Sequence, residues 1–373
     1  MRRFYILLTV GALCTCFTFY YINRYGKQLG SPVPVKANLR QENKQKIQKL
    51  EGIDKYVTID QEEMFALRCN KCAIISNSGR LLKTGAGREI DETECVIRMN
   101  TSPTKGFEQD VGSKTTIRVI GHANLKKLQS MPAILEEFFR VPKTKTKHLI
   151  VAWLYMTHVN KTSNPHYKAT RILSKMYPSI SFYVPTLESM QKAELIFKKE
   201  TGITRKNAKT WFTTGWLTML LAIATCKNIA VYGMLEHHHC QNHMNDPTLY
   251  HYYNPKDGKE CQYYKRSEES LAWGHLFITE KAIFENWAKQ APITFHHPFW
   301  NISGTSSSLL DTPFITKYRY RYKHFQRFSK LGTIPNLHTH AHITSQSGAF
   351  QMKVILIVFC LPFLFLMACI CCF

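Results

Sequence analysis

The sequence predicts an α/β fold with a mostly parallel β-sheet flanked by helices. Short apolar runs alternate with longer stretches of helical periodicity. Several of these runs end in turns that contain glycine. Strand–helix–strand alternation is typical of parallel sheets, and ligands of such sheets bind at the carboxyl ends of the strands. We therefore expect the functional residues to lie in the loops that follow the apolar runs.

The elements of this fold are predicted in chain order. Short buried strands are expected at residues 72–76, 95–99, 116–120, 148–153 and 180–184. A helix is expected at residues 216–226, because its apolar residues form one stripe at helical spacing. The chain then returns as a strand at residues 228–233.

An uncharged segment near the N-terminus predicts a membrane anchor. Residues 4–22 contain no charged side chain, and as a helix they would be about 28 Å long, close to the hydrocarbon thickness of a bilayer. Arg2 and Arg3 precede the segment, which favours a cytosolic N-terminus (residues 1–3) and a type II, single-pass topology. A cleavable signal peptide is the alternative, but no small-x-small cleavage site follows.

The rest of the chain divides by composition. Residues 23–61 are polar and read as a stem, and residues 62–303 are the expected folded domain. Residues 304–353 form a basic, aromatic extension. Residues 354–373 are uncharged, and their length favours a second membrane segment over a tail buried elsewhere.

The formal net charge of +23 favours anionic partners such as nucleic acid, an anionic membrane or a sugar nucleotide. Lys and Arg residues are scattered, and neither an arginine-rich recognition helix nor zinc-finger spacing is present. We therefore expect no nucleic-acid partner.

Twelve cysteines divide between the two apolar end segments and the core. An even number in the core of a secretory chain is compatible with disulfides. The six core cysteines are Cys69, Cys72, Cys95, Cys226, Cys240 and Cys261.

Four short blocks follow one another behind the anchor. The first covers residues 72–79 and continues to 97–100, and the second covers residues 213–216 and continues to 226 and 231–233. The third is residues 251–253, and the fourth is residues 275–280. This arrangement resembles the animal sialyltransferases, whose large, small, third and very small motifs correspond to these blocks in order.

The likeness covers roughly residues 66–303 and points to the alpha-N-acetylgalactosaminide alpha-2,6-sialyltransferases. Residues 98–112 and 214–216 look like the subgroup that prefers sialylated acceptors. The resemblance implies that residues 62–303 form one luminal catalytic domain, a Rossmann-like, GT-A-like variant, on the Golgi membrane. It also implies inverting transfer of sialic acid from CMP-sialic acid to the 6-hydroxyl of N-acetylgalactosamine on O-glycoproteins or gangliosides. Whether the chain forms a homodimer stays open.

Two other functions stay open as well. Sialyltransferases of alpha-2,3 or alpha-2,8 linkage share the same blocks. A catalytically inactive member that binds CMP or glycans is the alternative from another class. It is favoured by the divergent tail and by Asn254, which stands where family members commonly carry an acidic residue.

The donor-binding residues are those that the resemblance assigns. Asn77 and Asn100 follow two predicted strands, and their amides suit ribose, phosphate or a cytosine edge. Without the resemblance, both would be read as turn residues. Three residues precede the predicted helix and would offer backbone N–H groups to the CMP moiety, although a plain helix N-cap explains them too. They are Thr213, Thr214 and Gly215, and Gly233 is carried over as a close-approach position.

Two histidines are the candidate catalytic residues. His275 is the expected general base, since a neutral imidazole accepts the hydroxyl proton. Glu280 is expected to orient the region or the acceptor. His251 would neutralise charge on the leaving phosphate, with Tyr252 adding a hydrogen bond. Because Asn254 follows this block where family members commonly carry an acidic residue, a local acid partner for His251 stays open.

The resemblance also pairs Cys72 with Cys226. Cys240 with Cys261 is the expected second bridge, and Cys69 with Cys95 is left by elimination. Asn160 and Asn301 lie in glycosylation sequons, and Asn100 does too but should stay unmodified because it faces the nucleotide.

Two histidine-rich segments imitate metal sites. Residues 237–243 contain four histidines and a cysteine, and His338, His340 and His342 alternate in the tail. Zinc sites usually take ligands from two places at defined spacing. A monophosphate leaving group also needs less charge neutralisation than a diphosphate. We therefore expect neither a metal nor another cofactor.

Overall fold

The computed structural model describes residues 50–60, 63–144, 146–155, 163–270, 273–304 and 310–330. The predicted anchor, most of the stem and the apolar C-terminal segment lie outside these ranges. Within the described ranges, no helix combines the length and apolar content that a membrane crossing needs.

A single sheet organises the described part of the chain. Its strand order is β1-β6-β5-β4-β3-β2-β7-β8, and all neighbours are parallel except β1 and β6. All six predicted strands are present, which confirms the mostly parallel α/β sheet, whereas β1 and β8 were not predicted. The strands are β1 (Tyr56–Thr58), β2 (Cys69–Ile75), β3 (Cys95–Met99), β4 (Ile117–Gly121), β5 (His148–Ala152), β6 (Ser181–Pro185), β7 (Cys226–Tyr232) and β8 (Ile293–His296).

Helices connect these strands and cover the sheet. The predicted helix after the second sequence block is α8, which starts two residues earlier than expected. The helices are α1 (Gly87–Glu92), α2 (Glu108–Val111), α3 (His122–Leu128), α4 (Pro132–Phe139), α5 (Pro165–Met176), α6 (Leu187–Thr201), α7 (Arg205–Ala208), α8 (Thr214–Thr225), α9 (His239–Asn242), α10 (Glu260–Glu268), α11 (Phe277–Ala288) and α12 (Pro313–Lys330).

Successive residues of a strand point to opposite faces of the sheet. Helices pack on both of these faces, so both are buried. Ile74, Ile97 and Val119 belong to the largest apolar cluster, together with residues of α6, α8 and α11. Ile120 and Leu149 belong to a second cluster with residues of α3, α4 and α5. The sheet is therefore the middle layer of a three-layer domain.

The packed unit continues past residue 303, where the predicted catalytic domain ends. Leu310 and Ile315 are buried in the largest apolar cluster. The first turns of α12 thus pack on the domain, so the start of the predicted extension is part of it.

In the described part of the chain, three disulfides tie the sheet and its loops. Cys72 bonds to Cys226 across β2 and the start of β7, closing a sequence separation of 154 residues. Such a link restricts the unfolded chain more than a short loop would. The other pairs are Cys69–Cys95 and Cys240–Cys261.

The strand order creates a crevice beside β2. The chain passes from β2 to β3 and onward to β6 on one side, whereas β7 and β8 lie on the other side. Loops that leave the carboxyl ends of β2 and β7 therefore diverge. This is where open α/β sheets bind their ligands.

Candidate active site

A cavity of about 380 Å³ occupies the crevice. Its walls come from the loops after β2, β3 and β7, from residues 250–251 and 275, and from parts of α3, α8, α10 and α11. Eight of the ten predicted catalytic and substrate-binding residues line it. They are Asn77, Asn100, Thr213, Thr214, Gly215, His251, His275 and Glu280.

Gly233 and Tyr252 do not line this cavity but support it from behind. Gly233 has φ +76°, and a Cβ there would lie 2.6 Å from the hydroxyl of Ser76, so only glycine fits. Tyr252 is buried, and its hydroxyl donates to the carbonyl of Pro103. These positions shape the loops that carry the lining residues.

The two asparagines meet the cavity in different ways. Asn100 adopts a left-handed φ of 52°, and its Oδ1 accepts a hydrogen bond from the Gly121 N–H at 3.0 Å. The Oδ1 of Asn77 is buried and accepts no hydrogen bond within the described part of the chain. Because buried acceptors are normally bonded, this oxygen suits a ligand that brings a donor.

Thr213 caps α8 and is itself held by Glu280. Its Oγ1 accepts from the Trp216 N–H at 2.8 Å, which is an N-cap bond. The Glu280 carboxylate accepts from the Thr213 N–H at 3.0 Å and from the Thr213 hydroxyl. Thr214 and Gly215 follow in the first turn, where helical N–H groups lack intrahelical acceptors and favour anions. The two explanations given for residues 213–215, a helix N-cap and an anion-binding helix N-terminus, are therefore compatible.

The Glu280 side chain is buried, unlike that of a typical surface glutamate. Burial raises its pKa to about 8, although the hydrogen bonds from Thr213 oppose the shift. Its contacts place it as the brace of the α8 N-terminus.

The backbone orients the His275 ring. Its Nδ1 lies 2.7 Å from the Trp211 carbonyl oxygen. A carbonyl only accepts, so Nδ1 carries the proton and Nε2 keeps its lone pair in the neutral ring. Burial lowers the pKa of His275, and the Trp211 carbonyl partly opposes this. The ring is therefore held as a neutral proton acceptor.

His251 has an acid partner that the sequence did not reveal. Its Nδ1 lies 2.5 Å from Oδ2 of Asp257, six residues along the chain. Asp257 ends a 3₁₀ turn, Pro255–Asp257, and the side chain of Asn254 caps that turn by accepting from the Lys256 N–H. The question that Asn254 left open, whether His251 has a local acid partner, is answered by Asp257. Asn254 caps the turn, and the carboxylate is supplied at its far end.

Lys281 is a cavity residue that sequence reasoning missed. Its side chain is buried, and its Nζ lies 3.6 Å from the centre of the Tyr264 ring without a hydrogen bond in the described part of the chain. Burial lowers its pKa to about 8, whereas Glu260 opposes the shift. A buried lysine creates positive potential in the cavity. The sequence feature that could have identified Lys281 is its position directly after Glu280 in an otherwise largely apolar helix.

The side chains of the first histidine-rich segment, residues 237–243, do not converge as one set of metal ligands. Cys240 is in a disulfide, and His239 pairs with Asp246 at 2.7 Å. His237, His238 and Glu285 place ligand atoms within 4.8 Å of one another. The Glu285 carboxylate is, however, also paired with the Lys289 ammonium at 3.1 Å. The second trio, at residues 338–342, lies outside the described residues.

Comparisons with known proteins agree with the resemblance. A family model for glycosyltransferase family 29 (sialyltransferase) matches residues 19–290. An alpha-N-acetyl-neuraminyl-2,3-beta-galactosyl-1,3-N-acetyl-galactosaminide alpha-2,6-sialyltransferase of Mus musculus is 39% identical over 62% of this chain and 63% of that protein. The alpha-N-acetylgalactosaminide alpha-2,6-sialyltransferase 3 of Rattus norvegicus is 36% identical over 80% of this chain and 94% of that protein.

A crystal structure of a mammalian sialyltransferase matches with a TM-score of 0.37 and 19% sequence identity, over 61% of this chain and 68% of that chain. The family model alone covers more than half of the chain. The chain therefore belongs to glycosyltransferase family 29, the sialyltransferases, and the resemblance is confirmed. The matched part spans just under two thirds of the Mus musculus relative.

Proposed function

We propose that this protein transfers sialic acid from CMP-sialic acid to the 6-hydroxyl of N-acetylgalactosamine in sialylated O-glycans or gangliosides. The observation that carries the proposal is one cavity that holds a neutral, oriented imidazole, a second imidazole paired with a carboxylate, and a helix N-terminus. These are a base, a stabiliser of negative charge and an anion site. The family and the alpha-2,6 relatives support the donor and the linkage.

The proton of the acceptor hydroxyl moves to Nε2 of His275. As it moves, the acceptor oxygen forms a bond to the anomeric carbon of the donor, and the bond from that carbon to the phosphate oxygen breaks. Attack on the face opposite the leaving group inverts the configuration, as in a single displacement at a glycosidic carbon. The Trp211 carbonyl keeps the ring in the tautomer that this step needs.

The CMP phosphate leaves with its negative charge, which His251 stabilises. The Asp257 carboxylate orients the imidazole through its contact with Nδ1. Backbone N–H groups of Thr214 and Gly215 add the positive end of the α8 dipole. The chemistry needs no metal for this leaving group.

Asn77 and Asn100 provide the grip on the nucleoside. The buried Oδ1 of Asn77 accepts a hydrogen bond from the cytidine. Asn100 lies at the end of β3 beside Thr214. The setting is a type II protein of the Golgi membrane with a luminal domain, as the N-terminal sequence predicts.

The first experiment measures transfer from labelled CMP-sialic acid by the detergent-solubilised full chain. A panel of glycoprotein and ganglioside acceptors names the acceptor class, and linkage analysis of the product separates alpha-2,6 from alpha-2,3 and alpha-2,8. His275→Ala should lower kcat by about 10²–10⁴-fold, the usual range for a general base. His238→Ala, an exposed histidine that does not line the cavity, is the matched control.

Product in the parent that disappears with His275→Ala supports the proposal. A folded parent that binds CMP but forms no product with any acceptor points to an inactive, glycan-binding family member. An alpha-2,3 or alpha-2,8 product keeps the chemistry but overturns the proposed linkage.

A further inference from the structure

Two segments that are distant in the sequence meet between the active-site cavity and a second cavity. Thr210 and Gly274 form a parallel bridge, and the Trp211 N–H donates to the Gly274 carbonyl at 3.0 Å. At one end of the paired segments, Thr213 and His275 line the active-site cavity. At the other end, residues 207–209 and 268–270 line a second cavity of about 380 Å³.

Two tryptophans occupy the surface between the cavities. Trp211 and Trp273 are each 43% exposed, and their ring centres are 4.8 Å apart. Large exposed apolar groups in a cluster mark binding surfaces. Each tryptophan lies two residues from a cavity residue, Thr213 or His275, so this Trp211–Trp273 shelf starts at the mouth of the active site.

The shelf is held rigidly. The Arg205 guanidinium lies 5.1 Å from the Trp211 ring and 5.9 Å from the Trp273 ring, and Glu194 fixes it by an ion pair at 2.8 Å. Trp273 has φ 55°, and Trp153, which packs edge-on against Trp211, has φ 68°. A bulky residue in this backbone region is strained, and such strain concentrates at functional sites.

The second cavity is cationic at its rim. Lys209, Lys317 and Arg321 line it and are exposed, and Glu268 and Glu269 also line it. Glu268 is buried and its carboxylate accepts the Ile278 N–H at 3.0 Å, so it faces the start of α11. Among the described side chains that line this cavity, three are cations and one is an exposed carboxylate. Two of them belong to α12, in the segment that the sequence marks as a divergent extension.

We propose that the shelf and the second cavity form the binding site for the acceptor oligosaccharide. A pyranose ring packs its C–H face on Trp211 and Trp273, and a carboxylate of a terminal sialic acid on the acceptor lies between Lys209, Lys317 and Arg321. The chain from Thr213 to Lys209 spans at most about 14 Å, which accommodates a short oligosaccharide rather than one ring. This inference rests on the proposed function, because the acceptor hydroxyl must reach His275.

The test measures acceptor binding to the full chain without donor, so that it does not depend on transfer. The probes are sialyl-galactosyl-N-acetylgalactosamine and the uncharged galactosyl-N-acetylgalactosamine, and the readouts are tryptophan fluorescence and saturation-transfer NMR. The double variant Lys317→Glu with Arg321→Glu should weaken the charged trisaccharide about five- to tenfold. It should leave the uncharged disaccharide unchanged. Lys198→Glu, an exposed lysine outside both cavities, is the matched control.

The shelf is tested from both paired segments. Trp273→Ala and Trp211→Ala should each weaken both probes about tenfold, whereas Trp273→Tyr keeps an aromatic face and most of the affinity. Equal losses for both probes in the charge-reversal variant, or no loss at all, overturn the cationic subsite. Unchanged binding in both alanine variants overturns the shelf. If the variants change acceptor binding as expected but the parent transfers no sialic acid, the proposed function fails and the proposed acceptor site is kept.

Discussion

Nδ1 of His251 and Oδ2 of Asp257 lie 2.5 Å apart, and the pair joins a cavity residue to a turn six positions along the chain. The His251 ring also stacks on Tyr253, with ring planes 10° apart. One contact fixes the rotation of the imidazole, and the other fixes its plane. The histidine is therefore positioned before any phosphate arrives.

Asp257→Asn should slow transfer by lowering kcat about tenfold, less than the roughly hundredfold cost of removing a preorganised electrostatic group. The amide keeps the size of the side chain but gives up the negative charge that lies beside the imidazole. Steady-state kinetics with both substrates measure the change, which should fall on kcat more than on the KM of the acceptor.

Lys256→Ala, the exposed neighbour in the same turn, is the control and should retain the parental rate. Asp257→Glu should recover part of the lost kcat, because it restores the carboxylate. Parental kcat in Asp257→Asn would show that the pair only stabilises the turn.

The transfer rate should depend on pH through His275. Burial lowers the pKa of this histidine below its ordinary value of 6.5, and the base works only when it is neutral. We expect kcat/KM to be constant at neutral pH and to fall on acidification, with a midpoint below 6.5. The profile from roughly pH 5 to 8 measures this for the free enzyme. His238→Ala is the control and should give the parental profile. A midpoint of the kcat/KM profile above pH 6.5 in both proteins would contradict the assignment of His275 as the base.

Much of the fold was predictable because each strand of a parallel sheet is a continuous apolar run. β8 (Ile293–His296) and β1 (Tyr56–Thr58) escaped because they are edge strands of four and three residues. Runs this short carry too little periodicity to separate them from loops.

The candidate site was predictable where residues directly follow strands or begin helices. Asn77 and Thr213 are such positions. Asp257 was not predictable, because its contact with His251 depends on the geometry of one capped turn. The brace from Glu280 to Thr213 joins residues 67 positions apart. Contacts of that kind arise from tertiary packing, which single-sequence patterns do not encode.

Metal chelation should leave the transfer rate unchanged. The ligand atoms of His237, His238 and Glu285 are close enough for a cation, but the Lys289 ammonium already lies 3.1 Å from the Glu285 carboxylate. A divalent ion there would have to displace that charge. Rates before and after EDTA treatment check this. A loss that Mn²⁺, Mg²⁺ or Zn²⁺ restores would show that a metal takes part.

The buried carboxyl of Glu280 should make stability depend on pH. Its folded pKa is about 8, against an ordinary value of 4.5, so the folded state holds a proton that the unfolded chain has released. Stability from this group is complete below the ordinary pKa and is lost as pH rises toward 8. Glu280→Gln imitates the protonated carboxyl and keeps an acceptor for Thr213.

We expect the variant to lose less free energy of unfolding than the parent between pH ~5 and pH ~8, by on the order of 2 kcal/mol. This free-energy difference is smaller than a single isolated carboxyl with the same pKa shift would give, because the neighbouring Lys281 titrates in the same pH range. Urea unfolding at several pH values measures the difference. Glu92→Gln removes an exposed carboxylate that pairs with Arg88 and should follow the parental curve. Parallel curves for the parent and Glu280→Gln would mean that the Glu280 carboxyl is already ionised at neutral pH, with Lys281 holding its charge inside the cavity.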